Sequence, residues 1–397
     1  MKKKACALAV ATLFLMIEVS LGALAQGKPR ARDLGIPFDG TPGPLDAITD
    51  VKGVEVGQVT LISGGGKLEV GKGPVRTGVT AILPRGRESS DPVFAGWFSL
   101  NGNGEMTGTT WVEESGFLEG PVMITNTHSV GVVRDAVIAW RVKRGGPDES
   151  GYWWSLPVVA ETYDGFLNDV NGFHVKPEHV FQALETARPG LVAEGNVGGG
   201  TGMVCYEFKG GIGTASRKLD VRSGGYTVGV LVQCNCGGRE QLRIAGVPVG
   251  REISGNKVWS GAASSNQAGT GSIIITVATD APLLPHQLKR LARRASLGLA
   301  RTGSTSGNGS GDIFIAFSTA NPRAARPSGL PQLTMLPNDR MDALFAATVE
   351  ATEEAIVNAL VAAETMTGAD NHKAVAIPHE RVKEVLRRYN RLAESRD

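Results

Sequence analysis

Two kinds of apolar spacing run through this chain of 397 residues. Early segments alternate apolar with polar or small residues, as in VEVGQVTLI (Val54–Ile62) and TGVTAILP (Thr77–Pro84). A period of two predicts half-buried strands. Later segments are apolar almost throughout: YTVGVLVQCN (Tyr226–Asn235), SIIITVAT (Ser272–Thr279) and DIFIAFST (Asp312–Thr319). Runs of that kind predict strands covered on both faces. Helical spacing interleaves with them. Leu288, Leu291, Ala292, Ala295 and Leu299 share one face of Leu284–Arg301. A second helix is predicted over Asp339–Met366, entered through Asn338/Asp339 and stopped by Gly368. Its stripe is Met341, Leu344, Phe345, Thr348, Ala355, Ile356 and Leu360. Strands and helices in this order predict an α/β fold, a layered sandwich with sheets inside and helices outside.

Composition adds one boundary. Lys2, Lys3 and Lys4 precede an apolar run from Ala5 to Ile17, and Ala23-Leu24-Ala25 offers a small-residue cleavage site. That order predicts a secretory signal over residues 1–25, with Glu18 arguing against a membrane anchor. Its loss removes three Lys and one Glu from 41 basic and 39 acidic residues, leaving 38 of each. A neutral chain offers no electrostatic reason for a nucleic-acid or anionic-membrane partner. With 42% apolar residues and no linker composition, the remainder can bury one large core.

The 53 glycines cluster, as in NGNGEMTG, EGNVGGGTG, FKGGIG and GSTSGNGSG. Each cluster reads as a tight turn, and at a strand end it would also let a substrate approach the backbone. Cys205, Cys234 and Cys236 remain after the signal, an odd number and not a disulfide framework. Cys234 and Cys236 share one strand face and read as buried small hydrophobes. No metal signature and no phosphate loop occurs, and no cofactor is implied.

Serine chemistry remains. G-x-S-x-G is absent, which argues against a nucleophile-elbow hydrolase. One S-x-x-K, Ser254–Lys257, lacks the K-T-G partner of penicillin-binding enzymes and reads as a chance match. The stretch QAGTGSIIITVATDAP (Gln267–Pro282) suits another logic. If the Gly271–Ser272 bond broke, Ser272 would hold a hydroxyl nucleophile and an α-amine titrating near 8, so nucleophile and base would share one residue. Gly271 permits the backbone geometry that attack on its own carbonyl needs. The segment Arg251–Thr270 reads as an exposed loop that tolerates a cut.

Long words of the sequence then carry a resemblance. They are AITDVKGVEVG (Ala47–Gly57), PVVAETYDGFLNDV (Pro157–Val170), AEGNVGGGTGM (Ala193–Met203), GVLVQCN (Gly229–Asn235), Gly271–Arg301, NGSGD (Asn308–Asp312) and ATEEAIVNALVAAETMTG (Ala351–Gly368). Over essentially the whole mature chain, the sequence resembles the self-processing serine aminopeptidase family of the L-aminopeptidase/D-amidase/D-esterase enzyme (DmpA) and the β-peptidyl aminopeptidases. The resemblance implies a four-layer αββα sandwich like that of N-terminal-nucleophile hydrolases but with different connectivity. It implies self-cleavage into an α chain (26–271) and a β chain (272–397) forming one catalytic domain, in a tetramer of αβ units. With the secretory signal this makes an exported, periplasmic or secreted enzyme, for which no cofactor is expected. Its substrates would be short peptides, amides or esters with a free N-terminus.

Roles follow by resemblance. Ser272 aligns with the nucleophile, and Ser310 and Asp312 with the pair that orients it and its amine. Asn235 aligns with the oxyanion-binding amide, Tyr163 with a tyrosine that assists it, and Glu161 with the carboxylate for the substrate's ammonium. Two positions apart, Glu161 and Tyr163 would share a face if extended. Tyr163 and Asp312 side with the amidase/esterase branch, which predicts faster hydrolysis of α-amino than of β-amino amides. The secretory signal looks more like that of the exported β-peptidyl enzymes, which keeps their branch as the alternative. Trp153 and Trp154 read as core packing ahead of a pocket floor. A non-catalytic periplasmic peptide-binding protein and an acyltransferase of the ornithine acetyltransferase type are the rivals from other classes. The first would be expected to lack Ser272, Asn235 or Ser310, and the second uses Thr as its nucleophile.

Overall fold

The computed structural model describes residues 28–145, 154–255, 257–258, 271–326 and 328–393. The predicted signal segment, Trp153 and most of the predicted cut-tolerant loop, namely 256 and 259–270, lie outside the described residues.

Strands β1 (Glu55–Ser63), β2 (Val75–Leu83), β3 (Val93–Gly102), β4 (Phe117–Leu118), β5 (Val122–Asn126) and β6 (Val158–Thr162) form in the first half of the chain. They are followed by β7 (Val204–Cys205), β8 (Phe208–Lys209), β9 (Gly211–Lys218), β10 (Thr227–Asn235), β11 (Ser272–Thr279) and β12 (Gly311–Ser318). One sheet has four strands in the order β1-β2-β5-β6, and the other has six in the order β4-β3-β12-β11-β10-β9. Four helices matter for packing: α1 (Val130–Arg144), α2 (Pro177–Glu185), α3 (Pro285–Arg301) and α4 (Asp342–Val361).

Side-chain alternation sorts the layers. From β11, Ile274 and Ala278 join Ile82, Ile124 and Ala160 of the four-stranded sheet in the central core. The intervening Ile273, Ile275 and Val277 point the other way, onto Leu288, Leu291, Ala292 and Ala295 of α3 and Ala355 and Ala359 of α4. The outer face of the four-stranded sheet, with Val79, Ala81 and Met123, is covered by Val133 and Val137 of α1 and Val180 and Leu184 of α2. The result is helix, sheet, sheet, helix, the αββα sandwich the sequence implied.

Details depart from the expectation. The alternation in Thr77–Pro84 predicts a half-buried strand, yet β2 is buried along its whole length, because a helix layer covers the face opposite the central core. The second predicted helix begins with a short 3-10 turn at Asn338–Arg340 and ends at Val361, and Met366–Thr367 instead pairs with Lys373–Ala374 as a strand. It is buried nearly all round from Ala351 to Val361, not along a stripe, since it lies against both the six-stranded sheet and α3. Gly211 and Gly213, in a cluster that reads as a turn, lie inside β9. A Cβ on Gly213 would stand 1.9 Å from the carbonyl oxygen of Ala355, so this glycine lets α4 rest on the sheet.

Topology fixes where chemistry collects. Strands β11 and β12 are parallel neighbours, so Ser272 and Gly311 begin at the same end of the sheet. Strand β10 runs antiparallel to β11 and ends there with Asn235 opposite Ser272.

Candidate active site

Ser272 opens β11 and is 6% exposed. The backbone N–H of Gly311 donates to its Oγ at 3.1 Å. Ser310 donates from Oγ to the carbonyl oxygen of Gly271, the bond predicted to be cut. The same Oγ lies 2.6 Å from Oδ1 of Asp312, which also accepts from the Ile273 N–H at 3.2 Å. Ser310 has one hydrogen for two acceptors, so it serves both only when Asp312 carries a proton of its own. Burial pushes the Asp312 carboxyl above the ordinary range, while Ser310, Ser306 and the Ile273 N–H pull it back. The other carboxyl oxygen, Oδ2, is buried without a hydrogen-bond partner.

Asn235 has a defined orientation. Its Oδ1 accepts from the Val204 N–H at 2.8 Å, so Nδ2 is the end left to donate. Gly271 is needed for the fit, since a Cβ there would stand 2.4 Å from the Asn235 carbonyl oxygen.

Glu161 comes from the facing sheet, near the end of β6, and is 4% exposed. Its Oε1 accepts from the Glu105 N–H at 3.1 Å and its Oε2 from Thr127 Oγ1 at 2.5 Å. Burial raises its pKa, and the Glu105 charge adds to this, while the two hydrogen bonds and His128 oppose it. A nearly desolvated carboxylate with room for one more donor suits an ammonium ion.

The sequence pattern does not disclose the clamp joining these parts. The stretch NGNGE reads as a turn, yet Asn101 Nδ2 donates to the carbonyls of Ser306 and Gly307 at 3.1 and 2.6 Å. Asn103 donates from its N–H to Ser310 and from Nδ2 to Gly309. Gly104 lies so close that a Cβ would meet Gly311 Cα at 3.0 Å and Glu161 Oε1 at 3.2 Å. The entry to β12, which carries Ser310 and Gly311, and the Glu161 end of β6 are thus held by one segment. Paired Asn-Gly steps at a strand end are the only signal of it in the sequence.

Tyr163 departs from its predicted placement. Strand β6 stops at Thr162, and Tyr163 is 52% exposed, so it does not share a buried face with Glu161. Its phenol lies over Gly165, and among the described residues no hydrogen bond joins it to Asn235 or Ser272. Trp154, expected in the core, is 47% exposed with its ring edge-on to Trp111 at 5.4 Å. The glycines of GNVGGGTG do not line an open surface either. Gly198, Gly199 and Gly200 are buried, and a Cβ on Gly199 would stand 2.2 Å from Gln233 Oε1. Lys257 of the S-x-x-K match is tied to Glu240 at 3.1 Å.

The cysteines are buried as expected, but Cys205 joins the pair. Its Sγ is 3.7 Å from that of Cys236, and all three sulfurs lie within 4.8 Å of one another. Among the described residues this is the one such group near enough to share an ion. Nothing in the sequence brings Cys205 to the others, because β7 packs there only through the fold.

A serine at the head of a core strand, between two facing sheets sheathed in helices, defines a serine hydrolase of N-terminal-nucleophile architecture. The chain belongs to peptidase family S58, whose model matches residues 46–374, and it is an aminopeptidase. It is 58% identical over 384 residues to β-peptidyl aminopeptidase BapA of Sphingosinicella microcystinivorans, covering 94% of this chain and 96% of that one. It is 51% identical to BapA of Sphingosinicella xenopeptidilytica, covering 94% and 95%. The solved L-aminopeptidase D-Ala-esterase/amidase of Ochrobactrum anthropi superposes with a TM-score of 0.84 at 50% identity, covering 92% of this chain and 100% of that one. That structure is described as a prototype of the serine aminopeptidases and a variant of the Ntn-hydrolase fold.

Proposed function

We propose that the chain is exported, cuts its own Gly271–Ser272 bond, and then releases N-terminal residues from short peptides, amides and esters with Ser272 as nucleophile. The observation that carries this is the Ser272 constellation, with Gly311 N–H on the hydroxyl and Ser310 on the scissile carbonyl. In the precursor, Ser272 Oγ attacks the Gly271 carbonyl carbon while Ser310 donates to the oxygen that gains charge. The C–N bond breaks, the hydroxyl proton passes to the departing amine, and water hydrolyses the ester to leave Gly271 as a carboxylate. Ser272 then carries a free amine.

In turnover Glu161 holds the substrate's ammonium. Ser272 Oγ attacks the substrate carbonyl, and its own amine takes the proton. Asn235 Nδ2 stabilises the oxyanion, and the open Oδ2 of Asp312 accepts from the Ser272 ammonium. The leaving amine departs with that proton, and water releases the acyl group.

Similarity to the two BapA enzymes runs along 94% of the chain and supports β-amino residues at the substrate N-terminus. A second reading, α-amino amides, rests on Tyr163 and Asp312 and on the Ochrobactrum enzyme. The kcat/KM values on β-alanine and L-alanine p-nitroanilides separate them, a faster L-alanine substrate overturning the first. A gel and intact mass test the processing: wild type gives two chains with the smaller starting at Ser272, and Ser272→Ala stays whole. Activity from an uncut chain ends the mechanism. Fractionation of cells tests export, and sedimentation tests the tetramer of αβ units.

A further inference from the structure

Lys209 is 0% exposed and lies opposite Val204 in the pairing of β7 with β8. Its ammonium donates to the carbonyl oxygens of Gly210 at 2.7 Å, Met203 at 2.8 Å and Gly200 at 3.4 Å. Three N–H donors meet three acceptors, which only the charged form can satisfy. Those carbonyls come from both sides of one loop, residues 200–210, closed also by the Gly210 N–H on the Met203 carbonyl. The loop is moored where Lys209 N–H donates to Val375 and again at its tip, where Tyr206 N–H donates to Cys236 and Arg239 donates to the Tyr206 and Glu207 carbonyls. Its free product is the Val204 N–H, aimed at Asn235 Oδ1.

A buried lysine is an unfavourable way to close a loop, since removing an ammonium from water is opposed by desolvation unless its partners compensate. Burial pushes its pKa down to about 7, Lys28 pushes the same way, and Cys205 and Asp164 pull it up. A leucine or methionine would fill the space without that penalty, but would take the ammonium from all three carbonyls and leave Met203 with the Gly210 N–H alone.

We infer that Lys209 is a positioning residue for the oxyanion amide: its ammonium draws the 200–210 loop together so that Val204 N–H locks the Asn235 side chain with Nδ2 facing the substrate carbonyl. The inference rests on Asn235 serving as the oxyanion donor. Without the ammonium the loop relaxes, Val204 drifts, and the Asn235 amide is free to rotate its oxygen toward the developing negative charge. The Glu161 carboxylate is held by the Glu105 N–H and Thr127 Oγ1, neither of them in the loop, and the loop reaches β6 only one residue on, where Met203 Sδ accepts from Thr162. The defect therefore falls on kcat rather than KM.

Kinetics on processed enzyme, normalised by active-site titration, tests this. Lys209→Met should lower kcat by about 10- to 100-fold, the scale of a displaced catalytic group, with KM within about twofold. Lys209→Gln, which keeps two amide hydrogens, should lie between it and wild type. In an Asn235→Ala background, Lys209→Met should cost nothing further, because both changes remove the same interaction. Wild-type kcat in Lys209→Met, or losses that multiply in the double variant, overturns the inference. Should Lys209→Met not fold, Lys209→Gln alone and combined with Asn235→Ala decides the matter by the same two criteria. Wild-type kcat in Asn235→Ala alone would instead remove the oxyanion role on which the inference stands.

Discussion

Glu161 is the residue whose environment makes the sharpest claim about substrate. Burial holds its carboxyl above the usual glutamate range, so it ionises later than an exposed one as pH rises. Binding an ammonium needs the ionised form. As pH falls, kcat/KM should therefore drop with an apparent pKa above the ordinary value of about 4.3. Glu161→Gln should abolish that acid limb and lower kcat/KM by roughly 10- to 100-fold, the worth of a hydrogen bond to a charge. Acetylating the substrate's amine should abolish turnover by wild type and cost Glu161→Gln proportionately less, because its partner carboxylate is already gone. Asn235→Ala should cost about 10²–10³ in kcat, as for other single oxyanion donors. The Ser272 amine, titrating near 8, still shapes both profiles, so the test is the additional fall at lower pH. A Glu161→Gln profile that keeps that second fall would move the ammonium site elsewhere.

Among elements, the decisive contacts are those where backbone meets backbone. Gly311 opens β12 against the Asn103–Gly104 step, with a Cβ there only 2.4 Å from the Asn103 carbonyl oxygen. Gly311→Ala should push apart the clamp and the N–H on Ser272 Oγ, slowing self-cleavage, which a time course of precursor on a gel reads directly. Gly213→Ala acts on another layer. It should lift α4 from β9 and destabilise by about 3 kcal/mol, measured in urea, the upper end of ordinary overpacking. Both glycines sit in clusters whose composition suggests turns. Local composition cannot separate a glycine that bends the chain from one that lets a helix lie close, because the difference is made by the partner across the gap.

Across the whole molecule, a buried charge network ties the first described residues to α4. Arg30 pairs with Glu194 at 2.8 Å, and Arg32 and Arg217 both pair with Glu354 at 2.7 Å. Asp46 sits among them with its pKa raised to about 7, first by burial and then by Glu354. A folded-state pKa above the unfolded one means the native protein holds an extra proton between about pH 4 and 7. Stability from this group is full below about pH 4 and is lost as pH rises to about 7. Asp46→Asn should flatten that decline in a series of urea midpoints. An unchanged slope would mean the proton resides elsewhere.

Much of this was legible in one dimension. Strands β10, β11 and β12 and helix α3 fall within a residue or two of the segments that their apolar spacing marks, since each packs a continuous apolar surface. The Gly271-Ser272 step ahead of a buried strand was visible for the same reason: local chemistry is written in adjacent residues. The meeting of Glu161 with Gly104 and Gly311, the lodging of Cys205 beside Cys236 and the aim of Val204 at Asn235 were not. Those contacts depend on which strands lie side by side and in what register, and register is set by packing between distant segments. Tyr163 shows the limit most plainly. Its spacing from Glu161 promised a shared face, but that holds only while the strand continues, and β6 ends one residue too soon.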